Sequence, residues 1–340
     1  MKVLYAIQGT GNGHLSRARD VIPLLERHCD LDLLISGTQS EVQLPNPLTY
    51  RFKGVSFVYN KKGGLSYSRS AWTNLSPRLM QEVLSLPIKQ YDLVINDFEP
   101  VSAWACRLRG VPSIAMGHQA AFLSDQTPRP EKIDPIGESI LKNYAPAPRG
   151  IGFHFDRYDD FIYPPVIREG IRQQDPEDLG HYTVYLPAFR DDVLLGMLSQ
   201  IPGVEWQVFS KYAKQATRNG NVWIRPVNNE AFLDSFVKCQ GMLTGAGFET
   251  PAEALYMGKK LFCIPIRGQY EQYCNAAALE KLGVSIAWRV DRHFTGKISD
   301  WVNDDSRVQV RFPYELDRII ADIFGKKEEF VPLEPVSPSS

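Results

Sequence analysis

Short apolar runs alternate along most of the chain with segments in which apolar residues recur every three or four positions. Residues 3–7 read as a buried strand. Leu15, Ala18, Ile22 and Leu25 then share one helical face, and a second strand follows at 31–35. Further strands are expected at 92–96 and 112–116. The rhythm breaks over 156–180, where Pro164, Pro165 and Pro176 fall among many charges, and it resumes with runs at 182–186, 205–209, 222–224, 242–244 and 261–264. Alternation of this kind predicts an α/β architecture, with parallel sheets covered by helices. The 340 residues exceed what one core usually supports, so two domains with a cleft between them are expected. The predicted division is 1–162 for the first domain, 163–180 for a linker and 181–313 for the second, with a further helix within 314–328 and a loose tail at 329–340.

Composition narrows the partners. A formal net charge of -1 gives no electrostatic case for binding nucleic acid. Five cysteines, Cys29, Cys106, Cys239, Cys263 and Cys274, are scattered through apolar segments without a CxxC pair, as reduced core thiols of a cytoplasmic protein would be. No run approaches the roughly 20 apolar residues of a transmembrane helix. The adjacent carboxylates Asp159-Asp160, Asp191-Asp192 and Asp304-Asp305 do not form a DxD metal motif, so no metal is expected.

Two glycine turns carry the candidate chemistry. The first, Gly9-Thr10-Gly11-Asn12-Gly13-His14, follows the first strand, where an open α/β sheet places its ligands. An NAD fingerprint would need glycine where His14 stands, and the next strand ends in Ser36-Gly37-Thr38 without an acidic residue. The second turn, Gly245-Ala246-Gly247-Phe248, follows the run 242–244. Thr250 and Pro251 read as Ncap and N1 of a helix ended by Gly258, a helix start that favours an anion. Thr250-Pro-Ala-Glu253 also fits a capping box, in which Glu253 folds back on its own helix. After the run 261–266 a second helix start presents Glu271, Gln272 and Asn275, and Gly283 stops that helix.

In these residues the chain resembles the nucleotide-sugar glycosyltransferases with two Rossmann-like lobes (the GT-B fold), and within them the MurG-like N-acetylglucosaminyltransferases. Gly247, Thr250, Glu253, Gly258, Pro265, Gln272, Asn275, Ala276 and Gly283 fall where that family's donor signature has the same residue types. The resemblance implies two doubly wound parallel sheets facing across a cleft, the first on the acceptor side, with the helix in 314–328 packing back on the first lobe. It implies Glu253 on the ribose hydroxyls and Glu271 with Gln272 on the transferred sugar, roles that suit a carboxylate and an amide. Asn275 and Phe248 join the donor side. The amides at Gly11, Asn12, Gly13 and at Gly245, Ala246, Gly247 are expected to face the diphosphate. Where relatives carry a Gly/Ser-rich turn this chain has Pro187-Ala188-Phe189-Arg190, which makes Arg190 a candidate phosphate contact. The loop 225–228, with Val227, corresponds to the backbone that reads uracil.

By the same resemblance His14 is the base between donor and acceptor, and Asp97 its orienting partner; Asp97 equally suits a cap for the helix that begins near Glu99. His118 and Gln119 fall on the acceptor side, although the family continues with Glu and Asn where this chain has Gln119 and Ala120. The expected activity is metal-independent, inverting transfer of a hexosyl or N-acetylhexosaminyl group from a nucleotide sugar, with UDP the expected nucleotide, to an acceptor hydroxyl. No cofactor is required beyond that donor. The alternatives are a nucleotide-sugar 2-epimerase and a non-catalytic nucleotide-sugar sensor. The acceptor is unidentified, lipid-linked or small, and the loop 59–72, with Lys61, Lys62, Tyr67, Arg69 and Trp72, reads either as a plain surface loop or as a place of peripheral contact with the inner membrane face.

Overall fold

A computed structural model of the chain describes residues 1–10, 12–37, 44–54 and 77–325. Gly11, the loop 59–72 and the tail 329–340 lie outside the described residues. Within them the strands form two seven-stranded sheets. The first contains β1 (Lys2–Gln8), β2 (Asp30–Ser36), β3 (Tyr50–Phe52), β4 (Leu93–Asp97), β5 (Ser113–Gly117), β6 (Gly150–Phe153) and β7 (Ile162–Tyr163), in the spatial order β3-β2-β1-β4-β5-β6-β7. The second contains β8 (His181–Tyr185), β9 (Glu205–Ser210), β10 (Thr217–Asn219), β11 (Val222–Pro226), β12 (Gly241–Gly245), β13 (Lys260–Ile264) and β14 (Ser285–Ile286), ordered β10-β11-β9-β8-β12-β13-β14. Every pairing is parallel except the β10–β11 hairpin. This is the α/β, two-lobed GT-B architecture.

Helices cover both faces of these sheets, which is why the central strands read as nearly unbroken apolar runs. β1 is buried from Val3 to Gln8. It lies between β2 and β4, and the register sets Gln8 opposite Ser36 and Ile7 opposite Asp97. The order in which the chain adds strands reverses between β1 and β4, and the connections there diverge to leave a crevice. β8 holds the same place in the second sheet, between β9 and β12.

The two lobes share one apolar core. It runs from Val3, Tyr5 and Ile7 past Phe153 and Phe155 to Phe248, Met242 and Leu255 of the second lobe, and takes in Leu316, Ile319, Ile320 and Ile323 of the last helix, Leu316–Gly325. That helix lies against the helix Asn12–Leu25, and its Phe324 stacks on His28 with ring centroids 5.2 Å apart. A buried lysine fastens the chain that joins the lobes: Lys259 Nζ donates to the carbonyls of Glu177 (2.6 Å), Val237 (2.6 Å) and Cys239 (2.8 Å).

Element boundaries differ from the sequence expectations in places that matter. The helix after β1 begins at Asn12, so Gly13 and His14 belong to its first turn instead of the preceding loop. The helix after β12 begins at Glu249, with Phe248 at the cap position and no side-chain cap. Pro251 is tolerated there because the N–H groups of a first turn have no intrahelical acceptor. The capping box on Thr250 therefore does not form. The strand pair β6–β7 reaches into the stretch where the sequence rhythm breaks, since two paired residues at β7 leave no periodic signal.

Lys259→Met should lower stability by about 3 kcal/mol, because three buried carbonyls lose a charged donor at once. Urea unfolding followed by circular dichroism checks this; an unchanged midpoint would mean that the three carbonyls find other partners.

Candidate active site

The carboxyl ends of the two sheets face one another across a cavity of about 380 Å³. Its first-lobe wall includes Gln8, Thr10, Asn12, Gly13, His14, Phe98, His118 and Gln119; its second-lobe wall includes Tyr185, Pro187, Gly247, Phe248, Glu249, Thr250, Glu271 and Gln272.

His14 and Asp97 meet there. His14 Nδ1 lies 2.8 Å from Asp97 Oδ1, and the Asp97 side chain is wholly buried. Asp97 is free to do this because it does not cap the following helix. Glu99 does, its carboxylate accepting from the amides of Val101 (2.8 Å) and Ser102 (2.6 Å). Between the two carboxylates Phe98 is held at φ 56°, an uncommon conformation for a residue with a Cβ, and its ring lines the cavity. Gly117 leaves room for Asp97, since a Cβ at that position would fall 2.4 Å from Oδ1.

A third group completes the cluster. Arg17, one turn after His14, donates through Nη2 to both Asp97 oxygens at 2.8 Å and through Nη1 to Glu249 Oε1 of the second lobe at 2.6 Å. The sequence reading passed over Arg17 and Glu249; Arg17 three residues after His14 on one helix was the available signal. Burial favours neutral forms of all three first-lobe groups, but their mutual charges prevail. Burial raises the Asp97 carboxyl while Arg17 and His14 pull it below its ordinary value of 3.8. Burial likewise opposes the His14 imidazolium, yet Asp97, by charge and hydrogen bond, lifts its pKa above the ordinary 6.5.

The other expected residues divide into those that reach the cavity and those that do not. Gln272 lines it, with Oε1 already accepting from the Ile266 amide at 2.9 Å, which leaves its NH₂ for a ligand. Glu271 lines it and accepts from Gln119 Nε2 across the cleft at 3.1 Å. Gly247, Phe248 and Thr250 line it at the helix start, whereas Gly245 and Ala246 stand behind them, the Ala246 amide bonding to Ile264 O at 3.3 Å.

His118 is at the wall but buried. Its Nδ1 lies 2.9 Å from Phe153 O and its Nε2 2.8 Å from Asn275 Oδ1, and its ring stacks on Phe248 at 3.8 Å. Burial pushes its pKa down. Asn275, fully buried, braces His118 and bonds Ala246 O at 3.2 Å, so it joins the lobes and does not face the cavity.

Three further expectations are corrected by placement. Glu253 is buried beside the linker, where Arg168 Nη2 donates to Oε2 at 2.8 Å and Arg168 Nε donates to Oε1; without the capping box its carboxylate turns to this cation and away from the cavity. Arg190 is 78% exposed and paired with Asp192, because it sits at the solvent end of its helix start. The Val227 amide is used by Ser210 O at 3.2 Å, and Val227 is not among the cavity's walls. Among the described residues no group of three or more His, Cys, Asp or Glu side chains is placed to hold a metal, and no helix is long and apolar enough to cross a membrane.

Residues 1–304 match the family described as glycosyl transferase family 1. The chain belongs to that family. This glycosyltransferase has no match among curated proteins. It is similar in fold to the Streptomyces sp. SF2575 glycosyltransferase SsfS6 complexed with thymidine diphosphate, at 16% identity and a TM-score of 0.57 over 95% of this chain and 99% of that one. It is also similar to Acinetobacter baumannii MurG, at 15% identity and a TM-score of 0.52 over 96% and 99%. A third similar structure is the spinosyn rhamnosyltransferase SpnG complexed with spinosyn aglycone, at 15% identity and a TM-score of 0.52 over 98% and 97%.

Asp97→Asn should cost about 3–5 kcal/mol in urea unfolding, since it leaves Arg17 charged and buried with half its compensation. The Asp97 pKa is depressed on folding, so its stabilisation is full above the ordinary carboxyl pKa and lost as pH falls through the depressed value. The gap between wild type and variant should therefore narrow below pH ~4; a gap independent of pH would contradict this assignment.

Proposed function

We propose that the enzyme transfers a hexosyl or N-acetylhexosaminyl group from a nucleoside diphosphate sugar to an acceptor hydroxyl by one inverting displacement, without a metal. The observation that carries the reading is the His14–Asp97 pair at the cavity wall. Asp97 takes Nδ1–H, which fixes the tautomer whose Nε2 is the basic atom. The acceptor O–H proton passes to Nε2 as the acceptor oxygen attacks the anomeric carbon from the face opposite the nucleotide. The anomeric C–O bond breaks, and its electron pair leaves with the diphosphate.

Charge developing on that diphosphate falls to the helix start at Phe248, Glu249 and Thr250, next to open space at Gly247. The first-lobe helix start at Asn12 and Gly13 already faces a carboxylate, for a Cβ on Gly13 would lie 2.5 Å from Glu249 Oε2. The diphosphate is therefore assigned to the second lobe. Glu271 and Gln272 hold the sugar hydroxyls, and the Thr250 hydroxyl takes over the ribose side from the sequestered Glu253. UDP or dTDP fits this arrangement; SsfS6 was solved with thymidine diphosphate, which favours testing both. The acceptor enters beside Phe98, Ile140 and Leu141, an apolar wall suited to a small aglycone or a lipid-linked sugar.

His14→Ala should retain nucleotide-sugar binding by calorimetry and lose turnover by at least about 10²-fold. Retained turnover would remove His14 from the chemistry. In the wild type kcat/KM should rise with pH through an inflection above 6.5, because His14 must be neutral and its pKa is raised in the fold; an inflection well below that value would contradict the assignment. Chelation by EDTA should leave turnover unchanged, and a loss restored by added Mg²⁺ would show that the helix start does not suffice.

A further inference from the structure

Arg17 is 2% exposed, yet it touches charged groups from both lobes. Its Nη2 holds both oxygens of Asp97 and lies 3.3 Å from His14 Nδ1, while Nη1 holds Glu249. Phe153 closes the face of the guanidinium, with its centroid 5.9 Å from Cζ. We propose that Arg17 is a positioning residue for glycosyl transfer, one that fixes the Asp97 carboxylate against His14 and links that arrangement to the second lobe through Glu249.

The geometry carries this in two steps. A carboxylate with only His14 as partner could rotate about its Cβ–Cγ bond; Nη2, donating to both oxygens while Nη1 is tied to Glu249, restricts that rotation and keeps Oδ1 at Nδ1. The same cation stands beside the imidazole and opposes its protonation. The charged groups facing His14 are Asp97 from β4, Arg17 from its own helix and Glu249 from the second lobe, with Tyr5 of β1 against Asp97 on the far side. Glu249 partly neutralises Arg17, which makes the second lobe part of the charge balance at His14.

This inference rests on the reading of His14 as the base, but it can be tested without an acceptor. The ring resonance of His14 in the full-length protein, assigned by its loss in His14→Gln, is titrated by NMR in the wild type, Arg17→Gln, Arg17→Lys and Glu249→Gln. Arg17→Gln should strengthen proton binding at His14 by at least about tenfold, one pH unit. Glu249→Gln should weaken it, and Arg17→Lys, which keeps the charge but not the fork, should titrate near the wild type while lowering kcat with little change in KM. His14 titrations within about twofold of one another in all four proteins would overturn the proposal. Should Arg17→Gln fail to fold, Glu249→Gln decides alone, because its carboxylate is partly exposed and its loss leaves Arg17 paired with Asp97. Full turnover in His14→Ala would instead sink the reading of His14 as base, whatever the titrations show.

Discussion

A carboxylate with no exposure to water sits at the end of β4, and the neighbourhood is arranged around keeping it ionised. Burying an unpaired charge costs several kcal/mol, so Asp97 demands a cation and a hydrogen-bond donor within reach. Arg17 and His14 meet that demand from one face of one helix, and Arg17 in turn draws Glu249 from the opposite lobe. The constraint fixes the imidazole tautomer, places the ring on the cavity wall and joins the lobes at the same point. Glu99 makes it possible by capping the next helix, a task that Asp97 would otherwise share.

The seam between the lobes is polar where it meets the cavity and apolar behind it. Gln119 to Glu271, His118 to Asn275 and Arg17 to Glu249 span it with hydrogen bonds, while Phe248 stacked on His118 continues the core across. Polar pairs of this kind at the cavity re-form easily with water or with a ligand, while the apolar core behind them keeps the lobes together. A cavity that must admit a nucleotide sugar and release a nucleoside diphosphate is suited by such a boundary.

Much of this was legible in the sequence because parallel strands covered on both faces must be apolar throughout, and glycine turns after them mark the crevice. The meeting of His14 with Asp97 was one of two readings open for Asp97, and it is Glu99 taking the cap that decides between them. Other placements turned on contacts no local pattern records. Glu253 has the spacing of a capping box and of a ribose contact, but a linker arginine 85 positions away takes its carboxylate. Asn275, expected on the donor side, instead braces His118 and the Ala246 carbonyl, contacts that its helix-start position does not reveal. Arg17 gave no motif, since its meaning lies in a fully buried carboxylate 80 positions distant. Short elements such as β7 and β14 were missed because two residues leave no period to detect.

The proposed reaction requires the cavity to hold an activated sugar between His14 on one wall and Glu271 with Gln272 on the other. A crystal structure of the protein with a non-hydrolysable nucleoside diphosphate sugar tests it most directly. The diphosphate should lie at the amides of 247–250 and the anomeric carbon between His14 Nε2 and Gln272. A nucleotide bound elsewhere, or a sugar turned away from His14, would contradict it.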